Sequence, residues 1–130
     1  MTPTTTRTLM APGAELEFLT DENQWCRLTL TVGDKQMALG ADTFRVVVKK
    51  FLVYLESREN PKYSHHADGV DWAWIISLSE RHASLFGRAV DNGYMVRVVD
   101  ALGREPLRFT LSEADAQNWT QKLTTWLNEN

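Results

Sequence analysis

Residues 71–90, DWAWIISLSERHASLFGRAV, alternate with period two. Trp72, Trp74, Ile76 and Leu78 fall on one side, and Ala73, Ile75, Ser77 and Ser79 on the other. After a polar turn at Glu80-Arg81-His82, Leu85, Gly87 and Ala89 alternate with Ser84, Phe86, Arg88 and Val90. β-branched and aromatic residues favour strand over helix, so the stretch predicts a long β-hairpin near the middle of one sheet.

The same alternation recurs upstream. Leu16 and Phe18 share a face in 15–19, and Asp21-Glu22-Asn23 turns the chain. In 24–32, Cys26, Leu28, Leu30 and Val32 point inward while Trp25, Arg27, Thr29 and Thr31 point out. Gly33-Asp34 is a tight turn into a short strand over 35–39, with Met37 and Leu39 inside. From Asp42 the period lengthens: Phe44, Val47, Val48, Phe51, Leu52 and Leu55 form the stripe of an amphipathic helix that Asp42 is placed to cap. Downstream, Asp91-Asn92-Gly93 is a turn, 94–100 and 107–111 read as strands, and Ser112 with Asp115 opens a second helix in a capping-box pattern. That helix carries Ala116, Trp119, Leu123, Trp126 and Leu127 on one side.

These elements predict an α+β fold, an antiparallel sheet with both helices on one face. The order is three or four strands and a helix, then four strands and a helix. Residues 1–13 read as a flexible arm, with an edge strand around 7–10, and 14–130 as one domain. Its halves are 14–57 and 71–130, joined by a connection over 58–70. Leu39, Val47, Phe51, Tyr54 and Leu55 match Leu111, Trp119, Leu123, Trp126 and Leu127 at a constant spacing of 72, which suggests one unit used twice.

The 130 residues carry a net charge of −3, which argues against coating duplex nucleic acid or an anionic membrane by bulk charge and leaves room for a local basic patch. Cys26 is the sole cysteine, so an intrachain disulfide and a four-cysteine zinc site are excluded. The Thr-rich N-terminus has no apolar core of a secretory signal, and no apolar run approaches the ~18 residues of a membrane span. A soluble, cytoplasmic protein is expected.

Candidate chemistry is sparse. His65, His66, Asp68 and His82 are metal-ligand types, but adjacent histidines in extended chain point apart and no spacing closes a site. The Ser79 to His82 run gathers catalytic residue types without a nucleophile elbow or phosphate loop around them. Cys26 falls on an inward face. No enzyme, cofactor or metal is expected. Trp72, Trp74, Trp119 and Trp126 fill the space between sheet and helices, or else line a ligand pocket there.

The outward set is more informative: Trp25, Arg27, Thr29, Thr31, Ser84, Phe86, Arg88, Arg97 and Arg108, with Glu15 and Glu17 as acidic exceptions. Arg27, Arg88, Arg97 and Arg108 would meet phosphates, and Trp25 and Phe86 would stack on bases, as a single-stranded nucleic acid platform requires. The other reading is a solvated sheet face on which long charged side chains cover apolar surface.

Strands-helix-strands-helix with one open sheet face resembles the Whirly type of single-stranded-DNA-binding fold. Its relatives include the transcriptional positive-cofactor proteins and the trypanosomal guide-RNA-binding proteins. The resemblance covers the architecture of 15–127. The Lys-Gly-Lys-Ala-Ala-Leu motif of plant Whirly proteins is absent, its place at 35–39 reading KQMAL. The resemblance implies a non-enzymatic, homodimeric module that binds single-stranded nucleic acid on its sheet. The rival expectation is a protein-interaction module, such as an assembly chaperone, adaptor or inhibitor.

Overall fold

The computed structural model describes residues 4–58, 72–78 and 81–129. The side chains of 72–75 and 81 fall outside this description, and with them the proposed placements of Trp72 and Trp74. The 59–70 part of the connection, with His65, His66 and Asp68, and the turn residues Ser79 and Glu80 also lie outside it. The elements are β1 (Thr4–Ala11), β2 (Ala14–Asp21), β3 (Trp25–Val32), β4 (Lys35–Thr43), α1 (Phe44–Glu56), β5 (Trp72–Leu78), β6 (Arg81–Val90), β7 (Gly93–Asp100), β8 (Leu107–Ser112) and α2 (Glu113–Asn128).

The α+β class holds, but the strands form two four-stranded antiparallel sheets, β1-β2-β3-β4 and β5-β6-β7-β8, instead of one. Each sheet is a simple meander that ends where its last strand runs into a helix. Consequently β5 is an edge strand, and the central hairpin of the sequence is not at the centre of a sheet. Alternation tells which side of a strand is greasy; it is silent on which strands pair beyond each hairpin.

The edge strand read around 7–10 is present and longer than expected, so residues 4–11 are strand and not a loose arm: β1 pairs with β2 from Thr4 opposite Asp21 to Ala11 opposite Ala14. Polar composition hides its Thr4–Thr6 end, because only Leu9 and Ala11 reach the core. Arg81 and His82 likewise belong to β6, opposite Leu78 and Ser77, and not to a turn.

Both helices form for the reasons their stripes suggest. In α1, Phe44, Val47, Val48, Phe51, Tyr54 and Leu55 are buried, which offsets the weak helix preference of Val46-Val47-Val48. Asp42 is not the cap. β4 runs on to Thr43 through a bulge at Leu39, with Gly40 at φ 123°, and Thr43 takes the N-cap position with no side-chain bond. The amide of Phe44 is satisfied instead by the Gln24 carbonyl at 2.8 Å. In α2, Ser112 is the N-cap and its Oγ accepts from the Asp115 amide at 3.0 Å.

The inner faces of the two sheets look at one another across a single core. Leu16, Leu30 and Leu39 of the first sheet and Leu85, Val98 and Leu111 of the second line one small apolar void. The helices pack on each other, and each also reaches the first strand of the opposite sheet: α1 meets β5, and α2 meets β1. At these crossings Lys50 Nζ donates to the Ser77 carbonyl of β5, and the Trp119 indole donates to the Met10 carbonyl of β1 at 2.9 Å. Among the described residues no helix is long and apolar enough to cross a membrane.

Candidate nucleic-acid interface

Strands β6, β7 and β8 turn Ala83, Leu85, Val96, Val98, Leu107 and Leu111 into the core. Period two then sends Ser84, Phe86, Arg88, Met95, Arg97, Val99, Arg108 and Thr110 outward. Register places these side chains in rows. Phe86 lies opposite Arg97 and Arg97 opposite Arg108, while Arg88 lies opposite Met95 and Met95 opposite Thr110. With neighbouring strands ~4.8 Å apart, four of the six sequence-predicted residues fall within one small patch.

Inside the patch, the Arg97 guanidinium carbon sits 4.8 Å from the centroid of the Phe86 ring, a cation–π contact. Arg88 and Arg108 are exposed, and Arg97 and Phe86 half-buried. Arg97 and Arg108 are like charges directly opposite one another, an arrangement that costs stability unless an anion lies between them. Among the described residues neither forms a salt bridge; ion pairs elsewhere include Lys35–Glu105, Arg58–Glu113 and Arg104–Asp100.

Trp25 and Arg27 are elsewhere. They project from β3, on the outer face of the first sheet, with Arg27 opposite Leu19 and Ala41. The rows beside them hold Thr8-Glu17-Thr29 and Met10-Glu15-Thr31, so this face is threonine-rich and acidic at its centre. Since the two inner faces share one core, the two outer faces look away from each other. Trp25 and Arg27 are therefore not part of the cationic patch. Pooling all outward residues treats two surfaces as one, and only pairing between strands separates them.

The patch also holds residues that a charge-and-aromatic search passes over. Met95 is 39% and Val90 37% exposed. His82 is exposed and belongs to the same outward register as Ser84. Met95 was accessible from alternation in 94–100, where it shares a side with Arg97. Cys26 is fully buried, and burial pushes its thiol pKa up, which disfavours the thiolate a nucleophile needs. No protein-family model matches the chain, and no curated protein is detectably similar to it.

Proposed function

We propose that the chain is a non-enzymatic, cytoplasmic module that binds single-stranded nucleic acid on the outer face of β6, β7 and β8. The observation that carries this is the opposed pair Arg97 and Arg108, continuing the row that holds Phe86. A phosphate between the two guanidiniums relieves their repulsion and meets planar donors from both. A base turned toward the sheet stacks on Phe86, with Arg97 as an adjoining flat cation. A single strand presents phosphates and base faces together, whereas a duplex hides its base faces, so the single strand is the better fit. No cofactor enters this reading. The strands-helix-strands-helix order, on which the Whirly resemblance rests, is a second support for this reading.

The test is fluorescence anisotropy with labelled single-stranded and duplex oligonucleotides across a salt series. Three arginine–phosphate contacts give a slope of about −2 in log K against log salt for single strands. Absence of salt-sensitive binding at low ionic strength removes the proposal. A second reading, docking of a protein partner, draws on the exposed Met95 and Val90 beside Phe86 and three arginines, a composition common in protein interfaces. Co-purification of a protein that survives nuclease treatment and moderate salt would favour it.

A further inference from the structure

We infer that β1 is a homotypic dimerisation edge, through which two copies of the chain join their first sheets into one continuous eight-stranded sheet. This goes beyond the nucleic-acid reading and does not depend on it.

The inference starts from which backbone groups face outward. Pro12-Gly13 is a two-residue turn closed by Ala11 opposite Ala14, so Ala11, Leu9, Arg7 and Thr5 exchange hydrogen bonds with β2. Met10, Thr8, Thr6 and Thr4 then direct both N–H and C=O away from the sheet. The Met10 carbonyl agrees, since it accepts from the Trp119 indole outside the strand. Among the described residues, the edge-facing groups of Thr4, Thr6 and Thr8 meet no partner.

Edge strands usually carry a defence: a charge on the edge, a proline, a bulge, a short length or a covering element. The other three edges here have one. β4 is bulged at Leu39 and packs against β5 and β6; β5 has Lys50 on its Ser77 carbonyl; β8 is only six residues long. In β1 the register to β2 is unbroken, and the strand contains no proline. Its single charge, Arg7, lies on the inner side with its guanidinium carbon 4.5 Å from the Phe44 ring centroid. Among the described residues, the free part of the edge ends where Trp119 closes it at Met10.

The open segment is self-complementary. An antiparallel pair centred on Thr6 sets Thr6 against Thr6, and Thr4 against Thr8, of the second copy. Each of these pairs exchanges two bonds, about six in all. The outer face then gains three threonine–threonine cross-strand pairs, a favourable combination. On the inner side Arg7 meets Thr5 of the second copy, so no like charges stand opposite. A second copy is the occupant that satisfies all these positions with the residues already present, in an isologous two-fold contact.

The experiment uses the full chain. Sedimentation equilibrium over a concentration series is expected to show a species of twice the 14.9 kDa chain. Thr6→Pro removes an amide that β2 does not use and places a ring in the interface. It is expected to weaken dimerisation at least tenfold while leaving the far-ultraviolet circular dichroism spectrum and oligonucleotide binding per chain unchanged. Amide hydrogen exchange on the unmodified chain supplies a second readout independent of that variant. Thr4, Thr6 and Thr8 should be slow when concentrated and fast when dilute, while Thr5, Arg7 and Leu9 stay slow in both. A chain that remains monomeric overturns the inference. So does a dimer whose mass survives a folded Thr6→Pro, or one that protects odd and even amides alike.

Discussion

The indole N–H of Trp119 donates to the main-chain carbonyl of Met10 at 2.9 Å, across 109 residues of sequence. This bond fastens the last helix to the first strand and occupies a carbonyl that β2 cannot reach. Trp119 is also 2% exposed and packs beside Phe109, with ring centroids 6.0 Å apart.

Trp119→Phe keeps much of the packing and orphans the Met10 carbonyl. A cost of about 1–3 kcal/mol is expected, measured by urea unfolding. Trp119→Ala adds a cavity and should cost about 3–5 kcal/mol. If the phenylalanine variant unfolds at the same urea concentration as the parent, the indole bond contributes nothing and the tie between α2 and β1 is packing alone.

Gly93 opens β7 at φ 148°, and a Cβ there would run into the Leu111 carbonyl oxygen and lie 2.7 Å from Ser112 Cα. Backbone atoms of β8 cannot swing aside as a flexible side chain can. Gly93→Ala is therefore expected to cost at least about 2 kcal/mol through strain and displaced pairing. Because Gly93 turns the β6–β7 hairpin that aligns Phe86 with Arg97, the variant should also weaken oligonucleotide binding. Unchanged thermal stability would show that β8 moves away at no cost.

Much of this fold is readable in the chain, and the failures share a cause. The inward sets Leu16/Phe18 and Cys26/Leu28/Leu30, the α1 stripe and the Ser112 cap come directly from periodicity and local hydrogen-bond chemistry. The number of sheets does not, because a period of two is satisfied whether β4 and β5 pair or part. The edge strand around 7–10 is legible, but its extension to Thr4 is hidden, since an edge strand with a solvated outer side needs only Leu9 and Ala11 as core residues. Asp42 has the chemistry of a cap, but Ala41 is fully buried, and the strand continues past it to Thr43. For the candidate site, alternation identifies Phe86, Arg88, Arg97 and Arg108 as outward. Their separation from Trp25 and Arg27 is a fact of tertiary pairing.

A polar cluster where β7, α1 and α2 meet sets a pH dependence. The Tyr94 hydroxyl donates to Glu113 Oε2 at 2.7 Å, and the Arg58 guanidinium donates to Glu113 Oε1 at 3.2 Å. The Tyr94 bond first, and the Arg58 bond after it, hold the Glu113 carboxyl below its ordinary pKa. Partial burial, then Glu113 itself, push the Tyr94 phenol up. A depressed carboxylate stabilises the fold above the unfolded pKa of about 4.3, and that contribution disappears as pH falls through the folded value. A raised phenol stabilises it below the unfolded pKa of about 10, and that contribution disappears as pH rises through the folded value. Glu113→Gln should therefore flatten the acid limb of stability against pH, and Tyr94→Phe the alkaline limb. Since Glu113 is 45% exposed, solvent screening keeps the Tyr94→Phe loss near neutral pH to about 1 kcal/mol or less. Parallel pH profiles for parent and variants would show that these bonds do not hold in solution.

The opposed arginines make the nucleic-acid proposal testable against stability itself. A merely solvated face gains from losing a like-charge pair and loses nothing else. A ligand face gains the same stability but surrenders affinity. Arg108→Thr leaves Arg97 its contact with Phe86 and substitutes a good strand former. It is expected to stabilise the chain by a few tenths of a kcal/mol. Single-stranded binding should weaken, and the salt slope should shrink by about 0.7, one phosphate contact. Phe86→Ala should weaken binding by about 1–3 kcal/mol with the slope unchanged, because a stacked base releases no counterion. Arg27→Ala, on the other sheet, should alter neither quantity. Binding that falls equally for Arg27→Ala and Arg108→Thr would mean that the ligand responds to net charge, and that the row of Phe86, Arg97 and Arg108 is not its site.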